Sequence, residues 1–560
     1  MAEERLWHKS YAPGVPREID FERITMPEVL ARNARQFPRV ASLVYMGKRI
    51  SFLELDGMVN RFGRALLDLG VRKGDKVAVL LPNLPQTVVA IYAALRIGAV
   101  VALNNPLYTE RELEYQLDDS DSKVLVSLDL LHPRVMKIKA RTKIEKIVYC
   151  HINDYLPFPK KQLFPVVKKD MFRKVEPGEG IFEFLNLIGR HSDAPLENGA
   201  SWDDLGALLY TGGTTGVSKG VMLTHANISC MVQQFAAWFP DLNKGEDSLL
   251  AVFPFFHSAG FSAIQNLAVW MAITDILVPR PSPESVLEMV RKFKPRYLPA
   301  VPTIFVGLLN SPDFRKMDLS FIKGFFSGAA PLAADTLRQL KDLTGATLLE
   351  VYGLTETASM ATVTPWGGIN KPGTVGTPLP STDVRIVDLD TGKEERKTGE
   401  PGEILIKGPQ VMSGYYKKPE ETEGVLKDGW LYTGDIGRFD EDGYLTIVDR
   451  KKDMIIAGGY NVYPREIDEV LFQHPKILEA CAFGVQDQYR GESVKAYVVV
   501  KPGETLTPEE VIRYCREKLA AYKTPKTVEF IDALPKSAIG KVLRKEVREM
   551  DRKKSRQQKA

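Results

Sequence analysis

The sequence predicts an α/β protein with a large N-terminal domain of two βα-layered subdomains plus a small β-rich subdomain, followed by a small α+β C-terminal domain. Three observations predict it. Short apolar runs alternate with helix-period segments in two separate stretches. After residue 370 short strands and Gly/Pro turns take over. A charged run at 449–453 then precedes a compact mixed pattern that fills the rest of the chain.

In the first stretch, "KVAVLLPN" (76–83) reads as a fully apolar strand and "TVVAIYAALRIG" (87–98) as a helix. "AVVALNN" is the next strand, "ERELEYQLDDSD" a helix and "SKVLVSLD" a third strand. That order implies parallel strands covered by helices. It resumes in "ESVLEMVRKFKPRYLPAVP" and "DTLRQLKDLTGATLLEVYG", each a helix followed by a strand. The stretch 151–200 breaks the rhythm. Its "LPFPKKQLFPVVKKDMFRK" mixes prolines, lysines and bulky apolar residues, and two readings stand: a surface excursion, or a basic apolar patch that touches a membrane surface. "GTVGTPLPSTDVRIVDLDTGKEERKTGEPGEILIKG" (373–408) is the β-rich part. Beyond the hinge candidate come the helix "PREIDEVLFQHP", the strands "EACAFGV" and "SVKAYVVVK", the helix "TPEEVIRYCREKLA", the strand "KTVEFID" and a basic terminal helix. The expected domains are therefore 1–448, a hinge at 449–453, and 454–560.

Composition excludes several classes. The 560 residues are 44% hydrophobic and 26% charged, ordinary for a globular enzyme. A net charge of +4 is too small for a nucleic-acid footprint. Cys150, Cys230, Cys481 and Cys515 form no CxxC pair and read as reduced thiols; the seven histidines show no ligand spacing. The first twenty residues lack the apolar core of a signal peptide. The longest apolar runs, 88–103 and 261–279, are interrupted by Arg96 and by Gln265, Asn266 and Asp275, so buried segments are expected rather than membrane spans, and a cytoplasmic protein.

Four stretches carry chemistry. "LLYTGGTTGVSKGVMLTH" (208–225) resembles a phosphate-binding loop yet fails the G-x-x-x-x-G-K-[ST] rule, because Val217 and Ser218 separate Gly216 from Lys219. Its bare amides, the hydroxyls of Thr211, Thr214 and Thr215, and Lys219 can still wrap a polyphosphate. In "EVYGLTETA" (350–358), Tyr352 and Gly353 offer a face for a base, and Thr355 with Glu356 suit Mg²⁺ and phosphate; an ordinary helix cap fits the same residues. Asp435, at the end of an apolar strand, can bind two ribose hydroxyls. Lys541, after Gly540 in "LPKSAIGK", would alone read as a solvent lysine. His257, in "FPFFHSAGF" among Phe255, Phe256 and Phe261, would alone read as a satisfied core histidine.

Together these motifs resemble the AMP-forming, acyl-activating superfamily of acyl-CoA synthetases, peptide-synthetase adenylation domains and beetle luciferases. The resemblance runs from about residue 7 to 550 and is strongest to prokaryotic long-chain fatty-acid–CoA ligases, through "NNPLYTERELEYQLDDSDSKVLV", the Gly/Thr loop, "FPFFHSAGF" and "LPKSAIGK". It implies that Thr211, Gly213, Thr214, Thr215, Gly216 and Lys219 hold the β- and γ-phosphates of ATP, with Thr211 and Glu356 toward Mg²⁺. Gly328, Ala329 and Ala330 of "SGAAPL" would line the base and the acyl pocket. Glu350, Tyr352 and Gly353 would lie on the nucleotide, Tyr352 stacking on adenine. Thr355 would touch the α-phosphate, and Asp435 and Arg450 would hold the ribose. His257 would orient the carboxylate, and Lys541 would bridge that carboxylate and the α-phosphate. The resemblance also implies a mobile C-terminal domain pivoting at Lys452. Gly458 and Gly459 would let the pantetheine arm of CoA pass, and Asn461 would contact the nucleotide or the hinge. Where many relatives have Ser or Thr just before the Gly-Lys pair, this chain has Ile539.

The implied reaction joins a fatty acid of medium to long chain to CoA through an acyl-adenylate, releasing AMP and pyrophosphate. An aryl- or medium-chain acid–CoA ligase and an acyl-AMP ligase with an acceptor other than CoA are the alternatives; intact Lys219, Glu356, Asp435, Arg450 and Lys541 argue against a non-catalytic binder. The expected partners are these small molecules and no nucleic acid. A homodimer and a peripheral contact at the inner membrane face stay open.

Overall fold

The βα stretches fold as parallel sheets in the computed structural model, which describes residues 5–176, 178–211, 218–328, 332, 334–457, 460–487, 491–537 and 540–557. The chain forms two compact units, one of residues 1–383 with 407–431 and the other of 384–406 with 432–560.

The first unit holds two large sheets. One has eight strands, with Lys76–Leu80 at its centre, parallel to Val100–Leu103 on one side and to Ser122–Leu128 on the other. The helix between the first two, Pro85–Arg96, is buried at every residue, which is why its sequence reads apolar on all faces. Its single charge, Arg96, is retained inside because Nη2 meets Asp56 Oδ1 at 2.6 Å and Nη1 meets Asn60 Oδ1 at 2.6 Å. An unpaired charge there would cost several kcal/mol. Helix Glu110–Asp119 starts where Thr109 and Glu112 form a reciprocal cap. The second sheet has nine strands, among them the parallel neighbours Tyr297–Ala300, Gly324–Ser327 and Thr347–Tyr352 that the second βα stretch foretold. The stretch 151–200 is more than a surface excursion. Its strand Ile181–Glu183 extends the eight-stranded sheet beside Lys146–Cys150, and Phe184 is buried next to Phe62.

The second unit carries residues 384–406 of the β-rich segment, whose strands Asp383–Val387 and Gly402–Lys407 share a sheet with Trp430–Phe439, itself paired antiparallel with Leu445–Arg450. It also carries a sheet of five strands, in which Gly491–Val500 lies between Ile477–Asp487 and the parallel Thr527–Phe530. Helices Pro464–Phe472 and Pro508–Arg516 supply Ile467, Leu471, Val511 and Cys515 to one core of this sheet; Val547 of Arg544–Gln557 enters the other. All four cysteines of the chain are free and buried. Among the described residues, no helix is long and apolar enough to cross a membrane.

Candidate active site

The Gly/Thr loop lies in a hairpin. Thr211 ends strand Leu205–Thr211, Lys219 begins the antiparallel strand Lys219–Thr224, and the two residues are register partners. Ser218 Oγ donates to the Thr211 carbonyl at 2.9 Å and closes the base. A P-loop instead runs from a strand into a helix, so the failed Gly-Lys junction reflects different backbone architecture. Gly213, Thr214, Thr215 and Gly216 lie outside the described residues.

Lys219 sits in a polar chain. Its Nζ pairs with Glu421 and stands 4.9 Å from the Tyr415 ring centroid. The Tyr415 hydroxyl donates to Glu356 Oε1 at 2.8 Å, and the Met412 amide donates to the Glu356 carbonyl at 2.8 Å. The register explains the grouping: the short strand Gly414–Tyr415 pairs with Lys219–Thr224, placing Tyr415 opposite Val221. A cation, a phenol and a carboxylate from three distant parts of the sequence thus meet at the mouth of the loop.

Glu356 is presented by a turn after strand Thr347–Tyr352. Glu350 is buried on that strand, and its amide donates to Thr364 Oγ1 at 3.1 Å. Tyr352 is half-buried at the strand end. Gly353 is required sterically: a Cβ there would lie 2.0 Å from the Ser359 carbonyl oxygen and 2.5 Å from Met360 Cα. The chain then folds back through the single 3₁₀ turn Thr355–Thr357, held by the Leu354 amide on Thr357 Oγ1 at 3.0 Å. Gly328 follows the neighbouring strand Gly324–Ser327, where a Cβ would come 3.0 Å from Val351 Cγ2. Ala329 and Ala330 lie outside the described residues.

His257 is half-buried; its amide donates to the Pro254 carbonyl at 3.0 Å and its Nδ1 accepts from the Ala259 amide at 3.2 Å. A π-helical segment, Ala259–Asn266, begins two residues later, a form often found at functional sites. Its Ala263 and Ile264, with Phe239, Leu267, Tyr297 and Phe326, line a small apolar cavity.

The second unit gathers the remaining candidates. Asp435 and Arg450 are register partners on adjacent strands, with Arg450 Nε 2.8 Å from Asp435 Oδ1. Lys541 sits on a turn closed by the Ser537 amide on the Lys541 carbonyl at 2.8 Å and by the Lys541 amide on Ser537 Oγ at 3.2 Å, with Gly540 at φ +75°. Desolvation of its ammonium, and next the Arg450 guanidinium, pull the Lys541 pKa down to about 8, while Asp435 opposes them. The residue as a whole is solvent-exposed. Lys452 is lowered too, by burial and then by Arg450. Asn461 is exposed on the short strand Tyr460–Val462; Gly458 and Gly459 lie outside the described residues.

The profile described as AMP-binding enzyme matches residues 30–416, and that of the AMP-binding enzyme C-terminal domain matches 466–541. The chain belongs to the AMP-binding enzyme family. Members of this family act through an acyl-adenylate and use ATP. One relative of this AMP-binding enzyme is a long-chain-fatty-acid–CoA ligase of Bacillus subtilis (strain 168), 42% identical over 98% of each chain. Another is the long-chain-fatty-acid–CoA ligase of Escherichia coli O157:H7, 37% identical over 98% of each. Among solved structures, ATP-bound MatB from Rhodopseudomonas palustris is 32% identical, covering 94% of this chain and 99% of its own, at a TM-score of 0.82. The anthranilate CoA ligase AuaEII with anthranoyl-AMP is 26% identical, covering 95% and 98%, at 0.84.

Sequence reasoning missed Tyr415 and Glu421, which complete the polar chain at Lys219 in this AMP-binding enzyme. Tyr415 is 59 residues from Glu356, and only strand pairing brings them together. It also missed Arg544, three residues beyond Lys541. Arg544 binds Asp468 at 2.5 Å and Asp453 at 3.5 Å.

Proposed function

We propose that this protein ligates a long-chain fatty acid to CoA, using ATP and releasing AMP and pyrophosphate. The observation that carries the reading is its near-full-length likeness to long-chain-fatty-acid–CoA ligases, together with an intact set of Lys219, Glu356, Asp435, Arg450 and Lys541. In the first step the fatty carboxylate oxygen bonds to the α-phosphorus of ATP and the bond to pyrophosphate breaks. In the second the CoA sulfur bonds to the acyl carbon, AMP leaves, and the thiol proton passes to solvent.

The roles are those the family resemblance implies, and the charges of the residues support them. Lys219, Thr211 and the loop 212–217 hold the departing pyrophosphate; Lys219 exchanges Glu421 for phosphate. Tyr352 stacks on adenine beside Gly353, with Gly328 and Glu350 on the adjoining strands. Thr355 touches the α-phosphate. Asp435, oriented by Arg450, takes the ribose hydroxyls. Lys541 offsets the repulsion between two meeting anions and stabilises the charge that develops. His257 orients the carboxylate. For the second step the segment 454–560 turns at 449–453 about Lys452, with Gly458, Gly459 and Asn461 beside the incoming CoA.

Magnesium fits this site. It binds through one or two carboxylates plus substrate phosphates, not an all-protein cage, and Glu356, which accepts from the Tyr415 hydroxyl beside Lys219, would be such a carboxylate. When bound, the ion would neutralise phosphate charge.

The test supplies ATP, Mg²⁺ and an acid panel, with and without CoA. CoA-dependent AMP release with palmitate and none with benzoate is the expected result. Preference for benzoate, or acyl-adenylate that accumulates regardless of CoA, would overturn the reading.

A further inference from the structure

We propose that segment 156–175 is a docking surface for an anionic lipid bilayer. Sixteen large apolar residues are exposed among the described residues, and five of them, Phe158, Leu163, Val166, Val167 and Met171, crowd into this one segment. They are strongly exposed: 83% for Phe158, 67% for Val166 and 69% for Val167. Leu163, Val166 and Val167 stand at i, i+3 and i+4 on the helix Lys160–Val167, so they share a face, while Phe164 turns inward and is buried. Isolated exposed apolar residues need no explanation, but a contiguous group of them marks an interaction site.

Charge selects the occupant. Lys160, Lys161, Lys168, Lys169, Arg173 and Lys174 flank these residues, against only Asp170 and Glu176. With Glu176 counted, residues 156–176 carry a formal charge of +4, equal to that of the entire chain. A protein interface of ordinary kind is depleted in lysine at its centre. Apolar side chains that enter the acyl boundary beneath a ring of long cationic ones, whose stems snorkel to the headgroups, match an anionic bilayer.

The surface is also held in place. Leu156 and Val175 are buried at its two ends. His151 Nδ1 lies 2.8 Å from Asp129 Oδ2, which also accepts from the Arg173 amide at 2.7 Å, and the His151 ring stacks on Phe172 with centroids 4.7 Å apart. Asn153 Nδ2 donates to the Lys161 carbonyl at 3.0 Å. The apolar side chains are thus presented from a fixed base.

The experiment is co-sedimentation of the full chain with phosphatidylcholine vesicles, either pure or one-third phosphatidylglycerol. It needs neither acid nor nucleotide, so its outcome is independent of the proposed reaction. Expected is binding to the anionic vesicles alone, weakened by salt, and lowered about tenfold in V166S/V167S and in K168Q/K169Q. Both variants should keep the wild-type circular dichroism and melting temperature, which shows that they fold. No vesicle binding by wild type, equal binding to neutral vesicles, or wild-type binding by both variants would overturn the proposal. So would a wild-type dimer that V166S/V167S dissociates without any vesicle binding, since the surface would then belong to a second copy.

Discussion

Replacing Arg544 by Met should destabilise the second unit in a pH-dependent way. The Arg544 guanidinium serves three buried carboxylates: Asp468 at 2.5 Å, Asp453 at 3.5 Å and Asp449 at 3.8 Å. Its Nε also donates to the Ala482 carbonyl at 2.9 Å. Burial already lifts the Asp468 pKa to about 7 with the guanidinium present, and Asp449 is raised for the same reason. Met keeps the aliphatic volume but leaves Asp468 and Asp449 without this cation, while Asp453 keeps Arg548. Breaking a buried pair in this way costs about 3–5 kcal/mol. An acid whose folded pKa lies above its unfolded value binds more protons folded than unfolded between the two, so stability falls as pH rises through that window. Removing Arg544 raises the folded values further. The loss should therefore be full near pH ~8 and partly recovered near pH ~5.5, where the carboxylates take up protons. The assay is hydrogen exchange at strand Ile477–Asp487, where the Ala482 amide donates to Asp468 Oδ1 at 2.6 Å. After correction for intrinsic exchange, protection should drop by about a hundredfold or more at the higher pH, from the factor of ten per 1.4 kcal/mol. An equal loss at both pH values, or one below about 1 kcal/mol, would show that the cluster is not held by charge.

Three further outcomes are expected. K541A should lower adenylation, read by ATP–pyrophosphate exchange, at least about a hundredfold, yet leave thioester formation from supplied acyl-adenylate within a few-fold; equal loss of both refutes separate roles for the two half-reactions. In the wild type, adenylation should decline as pH rises through about 8, because the Lys541 ammonium deprotonates there and not near the ordinary lysine value; a plateau persisting beyond pH ~9.5 refutes the lowered lysine pKa. G353A should abolish adenylation and lower the melting temperature, since its Cβ would fall 2.0 Å from a backbone oxygen that no rotamer change can move.

The layered fold was legible because burial on both sheet faces leaves unbroken apolar strands, and the covering helices between them show their own period. Arg96 told against a membrane span for the apolar run, but its partner Asp56, 40 residues earlier, could not be read from spacing. The loop was legible as a phosphate cradle from its glycines and threonines. That it bridges a hairpin was not, because antiparallel pairing of Leu205–Thr211 with Lys219–Thr224 depends on register, which composition does not specify. Tyr415 and Glu421 escaped for the same reason. They reach Lys219 through an added edge strand, and their own neighbourhood, "SGYYKKPEET", reads as an ordinary turn.

The two lysines given roles in the proposed reaction differ in how their charge is balanced, and that difference bears on the proposed mechanism. Lys219 is neutralised by Glu421 and backed by Tyr415, so in the proposed reaction a phosphate would displace a carboxylate to reach it. That exchange holds a leaving group while letting it go again, which suits pyrophosphate that must depart. Lys541 shares its surroundings with Arg450, Lys452 and Arg544, against the opposing charge of Asp435. Cations crowded in this way are mutually unfavourable, and they are relieved most where negative charge is greatest. For a carboxylate attacking a phosphate, that point is the transition state, in which both anions share one small volume. A site strained in its ground state and relieved as the reacting charges meet stabilises the step more than the bound substrate, and this is the condition for raising the rate.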